Sequence, residues 1–235
     1  MNIQEFISNY HNHPVLFVGT GLSLRYLENS YSWDSLLKKI ASDFNSNAEY
    51  YLDIKAEHMQ TTSYAFDQIA TQLEKDFNQH LKDNRHGKFE YINDLFYANM
   101  QRGANISRFK LYLADLLRKV IIKDAALPEI SELKKARKNI SSVITTNYDT
   151  MIEQLFSFNP LIGNNILLSN PYGSVYKIHG CVSQPEKIII TESDFINGEY
   201  TADIHYKIKD GYQAKYNKPK TRSIYAGTFA DVSII

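Results

Sequence analysis

Apolar residues form two patterns along the chain, with short continuous runs in some stretches and helical spacing in others. Residues 14–18, Pro-Val-Leu-Phe-Val, are apolar throughout and predict a short buried strand. Later runs rich in Ile, Val and Leu predict five more short strands, at 139–146, 166–168, 174–178, 187–191 and 223–226. Each of the first two strands is followed by a glycine or polar turn and then by a helical pattern. This alternation is typical of an α/β protein.

Helical spacing dominates the middle of the chain. A helix is predicted from residue 33, with Ser32 as its N-cap, and another at 148–156. Between about 46 and 137 no run indicates a strand, so we interpret 46–137 as a helical insertion, or small module, within a single domain spanning 1–235. The Thr-Glu-Ser-Asp sequence at 191–194 predicts one further helix start. The expected fold is a Rossmann-like, mostly parallel sheet with helices on both faces and this insertion.

Composition narrows the classes of partner and compartment. The chain has 26 basic and 26 acidic residues and a sequence pI of about 7.1, so no overall field attracts nucleic acid or an anionic membrane. Zinc-finger spacing and basic regions are also absent, and we expect no direct nucleic-acid partner. No apolar run approaches the roughly 20 residues of a membrane span. A single cysteine, Cys181, excludes an internal disulfide framework, and we expect a soluble cytoplasmic protein.

Three short motifs carry candidate chemistry, and the first follows the first strand directly. Residues 19–23 read Gly-Thr-Gly-Leu-Ser, and glycines at such a turn let the backbone approach a phosphate closely. The motif lacks the third glycine of the dinucleotide fingerprint. Taken alone, it leaves nucleotide binding and an ordinary tight β-to-α turn equally open.

The second and third motifs also stand where predicted strands end. Residues 145–149 read Thr-Thr-Asn-Tyr-Asp, in which Asn147 can both donate and accept hydrogen bonds, and Asp149 can accept from an amide. Helix capping is the alternative interpretation of this turn. His179 precedes a glycine at the end of the predicted strand 174–178, and its side chain has an unperturbed pKa near neutrality, which suits a general base. A packed structural histidine is the alternative there.

In this order, the three motifs resemble the motif set of the sirtuin superfamily. The resemblance extends over about residues 15–195 and implies NAD as the substrate. It implies that Asn147 lies beside the nicotinamide ribose, that Asp149 holds the carboxamide and that His179 is the general base. The NAD-binding residues that it implies are Gly19, Thr20, Gly21, Ser23, Thr146 and Asp149. The nearest candidates for the late turn that holds the adenosine half are Gly227 and Thr228.

Departures from the family pattern favour one branch of it. One cysteine cannot build the four-cysteine zinc site of protein-deacylating sirtuins, and Thr146 stands where they usually carry glutamine. The chain resembles more closely the sirtuin-like domains of bacterial antiphage defence proteins. This resemblance implies a metal-free NAD hydrolase that releases nicotinamide and ADP-ribose and acts in defence by depleting NAD.

Two other functions remain open at this point. The pocket could bind NAD or ADP-ribose without cleaving it and regulate a partner, and, less favoured, it could deacylate lysine. For the hydrolase we expect either homo-oligomerisation or a separate sensor or trigger protein. The aromatic-rich stretch 64–112 is a candidate surface for such assembly, although its aromatic side chains can equally fill the core between helices.

Overall fold

Four short parallel strands form a sheet in the described part of this protein. The computed structural model describes residues 15–61, 63–168 and 172–197 of the chain. Within them the strands pair in the order β1-β2-β4-β3, every pair being parallel. Their bounds are β1 Val15–Val18, β2 Ser142–Thr145, β3 Asn159–Ile162 and β4 Ser174–Lys177. The expected α/β fold with a parallel, Rossmann-like sheet is confirmed.

Helices account for most of the remaining regular structure. In the described part of the chain the α-helices are α1 Thr20–Tyr26, α2 Trp33–Phe44, α3 Tyr50–Glu57, α4 Phe66–Asp83, α5 Glu90–Gln101, α6 Arg108–Leu117, α7 Leu127–Lys135, α8 Met151–Phe156 and α9 Glu192–Asn197. Short 3-10 segments occupy Asp124–Ala126, Ala136–Asn139, Gly163–Leu168 and Pro185–Lys187. Helix α2 starts as predicted, because the Ser32 side chain accepts a hydrogen bond from the Ser35 amide at 3.2 Å.

Contacts divide the chain into two compact units, and the first, residues 1–30 and 114–187, holds the whole sheet. The central strands β2 and β4 are buried at most positions, as expected for parallel strands with a neighbour on each side. Val143 and Val175 are fully buried in their centre. Side chains of α7 and α8, such as Ile130 and Ile152, pack in the same apolar cluster. This packing fixes the strand ends on which the candidate site stands.

The second unit, residues 31–113 and 188–235, contains helices α2 to α5 and α9. Its core is rich in aromatic side chains. Phe77 is fully buried, and its ring centre lies 5.2 Å from that of Tyr112 and 5.3 Å from that of Phe89. These three residues of the aromatic-rich stretch therefore stabilise the helical core of this unit.

Two of the predicted strands are wrong. Residues 166–168 belong to the 3-10 segment, and the strand of this region is β3, which precedes it and contains Pro160. Proline is tolerated there because β3 forms one end of the strand order. Residues 187–191 form no strand, although Ile188, Ile189 and Ile190 are buried. The predicted strand 223–226 lies outside the described residues.

The predicted start of helix α9 is confirmed. The Asp194 carboxylate accepts hydrogen bonds from the backbone amides of Ile190, at 3.1 Å, and Thr191, at 3.0 Å. In return, the Thr191 hydroxyl accepts from the Asp194 amide at 3.3 Å. This reciprocal pairing satisfies backbone groups at the start of the helix, as in a capping box.

Candidate active site

Three of the predicted site residues occupy equivalent places at the carboxyl edge of the sheet. Thr20, Asn147 and His179 each stand two residues beyond the last residue of β1, β2 and β4. These last residues are register partners, since Val18 pairs with Thr145 and Thr145 with Lys177. Paired strands lie about 4.8 Å apart, so the three residues follow neighbouring strands at one edge. Open α/β sheets bind their ligands at this edge.

The Gly-Thr-Gly motif forms a tight turn into α1 rather than an extended loop. Gly19 is the residue before the helix, and its φ of −102° is accessible to any residue. A side chain would also fit, because a Cβ atom built on Gly19 has no neighbour within 4 Å. Backbone strain therefore does not account for this glycine. Because Gly19 has no side chain, its backbone is left uncovered at the carboxyl edge of the sheet.

Asn147 is held in one orientation by the turn opposite. Its side-chain amide nitrogen donates to the Gly19 carbonyl at 3.0 Å and to the Ser23 hydroxyl at 2.9 Å, and the residue is only 2% exposed. A carbonyl can only accept, so the nitrogen must face Gly19. The opposite atom, Oδ1, is buried and has no hydrogen-bond partner among the residues described. A buried acceptor without a donor is costly, which indicates that a ligand or water donates to it.

Ser23 links Asn147 to Asp149. Its hydroxyl accepts from Asn147 and donates to Asp149 Oδ2 at 2.8 Å, across 126 positions of sequence. The other oxygen of Asp149, Oδ1, accepts from the Met151 amide at 2.9 Å, at the first residue of α8. Asp149 therefore takes part in the helix start and in the polar cluster at the same time. We call Gly19, Ser23, Asn147 and Asp149 the edge cluster.

His179 reaches the same edge through the turn that ends β4. Gly180 has a φ of +86°, a conformation that favours glycine, and its amide donates to the Lys177 carbonyl at 3.1 Å. The glycine of this His-Gly pair is thus required by the turn. Burial lowers the pKa of the His179 imidazole from 6.5 to about 4. The imidazole is neutral at physiological pH, and its lowered pKa makes it a weaker base than an exposed histidine.

The remaining residues that the sequence predicts to bind NAD are not part of the edge cluster. Thr146 lies half-buried between Thr145 and Asn147, whereas Gly21 is exposed in the first turn of α1. Gly227 and Thr228 lie outside the described residues. Over the described ranges, no group of three or more His, Cys, Asp or Glu side chains is arranged to hold a metal ion. Within the same ranges, no helix is long and apolar enough to cross a membrane.

Lys177 is a residue of this edge to which the sequence assigned no role. Its side chain is fully buried, and the ammonium nitrogen lies 3.1 Å from Glu153 Oε1. The same nitrogen donates to the Asp149 carbonyl. The available signal was a lysine inside an apolar strand, two residues before His179. A buried lysine needs such partners, because an unpaired charge in a protein interior is strongly unfavourable.

Fold and site together define a Rossmann-like α/β protein with a polar cluster where such sheets bind ligands. A family model described as a SIR2-like domain matches residues 141–232 of the chain. Residues 141–232 are thus similar to a sirtuin-like domain, and this similarity suggests an NAD-related activity in general. The matched residues include Asn147, Asp149 and His179, and the match begins after the Gly19 turn. No curated protein matches the chain.

Proposed function

We propose that this protein is an NAD glycohydrolase that cleaves NAD to nicotinamide and ADP-ribose. The observation that carries the proposal is the locked side chain of Asn147, whose buried Oδ1 has no donor among the described residues. A fixed acceptor of this kind suits a ribose hydroxyl or an attacking water. The family match supplies the connection to NAD.

In the proposed reaction, the residues of the edge divide three tasks. Asn147 orients the attacking water through Oδ1, and the Gly19 turn leaves room for the diphosphate and ribose. The water oxygen bonds to the ribose C1′ while the bond from C1′ to the nicotinamide nitrogen breaks, and that nitrogen keeps the electron pair. His179 takes the proton that the water loses. No metal takes part in this scheme.

His179 is neutral at physiological pH, as a general base must be, although its lowered pKa makes it a weaker proton acceptor than an exposed histidine. With a pKa of about 4, the imidazole is in its proton-accepting form throughout the physiological range. Asp149 contributes differently, because Ser23 and the Met151 amide already occupy both of its oxygens. A carboxylate oxygen has a second lone pair, so Asp149 can still accept from a carboxamide while it holds Ser23 in place.

For the biological role, we propose antiphage defence by NAD depletion in the cytoplasm. Support comes from the resemblance to sirtuin-like defence domains and from the sirtuin-like match. Such an activity must be silent in a healthy cell. We therefore expect that assembly of several copies, or a separate trigger protein, activates it.

The experiment is nicotinamide release from NAD, followed by chromatography over a range of protein concentrations. Asn147→Ala and His179→Ala should each abolish release while keeping the melting transition. The matched controls are Asn84→Ala and His86→Ala, since both side chains are exposed and belong to the helical unit. Equal turnover in the His179 variant would remove its assigned role.

Two outcomes would redirect the proposal. Thermal stabilisation by NAD without nicotinamide release, with trigger candidates included, would favour a sensing module over a hydrolase. Release of acetate from an acetyl-lysine peptide would favour deacylation. The defence role is tested separately: the wild-type gene should reduce phage plating, and the Asn147→Ala gene should not.

A further inference from the structure

Besides the pairing of β2 with β4, at least three hydrogen bonds join the segment that carries Asn147 to the segment that carries His179. Two of them are between backbones: the Ile178 amide donates to the Thr145 carbonyl at 3.1 Å, and the Val182 amide donates to the Tyr148 carbonyl at 3.0 Å. The third comes from a side chain, because the ammonium group of Lys177 donates to the Asp149 carbonyl. Lys177 therefore supplies a side-chain link between these segments, and a substitution can remove it.

The burial of Lys177 makes its presence at this place informative. Its side chain is 0% exposed, and its partner Glu153 is 9% exposed. Taking an ion pair out of water commonly costs as much free energy as the attraction returns, and an apolar pair of similar size often packs as well. The ion pair with Glu153 therefore adds little to the free energy of unfolding, and it does not explain why a lysine is buried here. The bond to Asp149 gives Lys177 a local function instead.

We propose that Lys177 is a positioning residue that fixes the backbone of residues 147–149 against β4, with Glu153 as its counter-ion. The inference rests on the proposed NAD hydrolysis, since it concerns the placement of Asn147 relative to the strand that leads to His179. Without the ammonium group, the Asp149 carbonyl loses this donor and the turn loses one of its attachments to β4. Asn147 Oδ1 is then less well placed, and misplacement of about 1 Å is enough to slow a reaction about 100-fold.

The test is a paired substitution that removes both charges at once. In Lys177→Met with Glu153→Gln, no unpaired charge remains in the interior, so the protein should keep its cooperative melting transition. We expect kcat for NAD to fall about 100-fold while KM changes little, because substrate binding is retained and alignment is lost. Glu153→Gln alone leaves the buried ammonium group without its counter-ion, so the melting temperature should fall. Because the donor to Asp149 remains, kcat should fall less than about tenfold. Lys135→Met, which removes an exposed lysine from α7, should match the wild type.

Hydrogen exchange gives a second measurement that does not depend on turnover. The amides of residues 146–151 should exchange faster in the double variant than in the wild type, while those of α7 should be unchanged. A folded double variant with wild-type kcat and wild-type exchange would overturn the proposal. A double variant without a cooperative transition would also overturn it, because Lys177 would then serve overall stability rather than local position.

Failure of the proposed function would look different. If the wild-type protein releases no nicotinamide under any condition, NAD hydrolysis is excluded, but the positioning role of Lys177 is not. The exchange measurement would still decide whether Lys177 fixes residues 147–149. If the double variant shows wild-type turnover and unchanged hydrogen exchange, the positioning role of Lys177 is excluded, but NAD hydrolysis is not.

Discussion

Weakly acidic solution should destabilise this protein through His179. Burial holds the pKa of this imidazole at about 4, whereas in the unfolded chain it returns to about 6.5. Between these pH values, the unfolded state binds a proton that the native state does not. The free energy of unfolding therefore has its full value above pH 6.5 and falls as the pH drops toward 4.

The size of the effect follows from the two pKa values. Each pH unit between them corresponds to about 1.4 kcal/mol, so the complete loss is about 3 kcal/mol, of which about 2 kcal/mol is reached at pH 5. Total stabilities of small domains are about 5–15 kcal/mol, so a loss of this size is measurable.

Urea unfolding at pH 7.5 and pH 5.0 measures the loss, with His179→Gln as the comparison. Glutamine keeps the polarity of the side chain but does not titrate. The chain has 7 histidines in all, and the other titrating groups remain in both proteins, so their contributions cancel in the difference. The wild type should lose about 2 kcal/mol more than the variant between the two pH values. A direct check is the pH titration of the imidazole proton signals by NMR.

Equal loss of stability in the two proteins would refute this reasoning. So would an NMR titration of His179 near its ordinary pKa of 6.5. Either result would mean that water reaches the imidazole freely and that burial does not set its pKa.

Three further substitutions test other parts of the structure by urea unfolding. Ser23→Ala removes the hydroxyl between Asn147 and Asp149 and should cost about 1–3 kcal/mol while slowing NAD turnover; unchanged turnover would contradict the linking role. Ser32→Ala removes the N-cap of α2 and should cost about 1 kcal/mol with no change in turnover. Leu73→Ala empties a fully buried position of α4 and should cost about 2–5 kcal/mol; a loss below 1 kcal/mol would place Leu73 outside a packed core.

The central strands β2 and β4 could be predicted because their burial requires a recognisable pattern of apolar residues in the sequence. Parallel strands covered on both faces need apolar side chains at consecutive positions, and the predicted strands 139–146 and 174–178 contain β2 and β4. Strand β3 gave no such signal, since Pro160 lowers strand propensity and, among the described strands, β3 pairs with β4 alone. At residues 188–190 the error was the opposite one, since a strand was predicted where none forms. Their isoleucines are buried, but burial can be met by packing without strand pairing.

The residue types of the candidate site and their order could be taken from the sequence, but the hydrogen bonds between them could not. A strand end followed by Asn or His is visible in the sequence, whereas the bond from Asn147 to the Gly19 carbonyl joins positions 128 apart. Ser23 illustrates the limit: its place in the motif implied contact with NAD, while the fold uses its hydroxyl between two side chains. The position of Lys177 in an apolar strand was visible in the sequence, but its role was not, because whether a lysine is buried depends on a partner such as Glu153 from another element.

The division of the sheet unit into two chain segments, 1–30 and 114–187, has a consequence for synthesis on the ribosome. Strand β1 and the Gly19 turn emerge early, but β2 and β4, which complete their surroundings, are encoded more than a hundred codons later. At about 5–20 residues per second, the early segment waits on the order of ten seconds for its partners. An incomplete nascent chain therefore has Ser23 and Gly19 without Asn147 or His179. If the protein consumes NAD, a truncated translation product ending before β2 would be harmless to the cell that makes it.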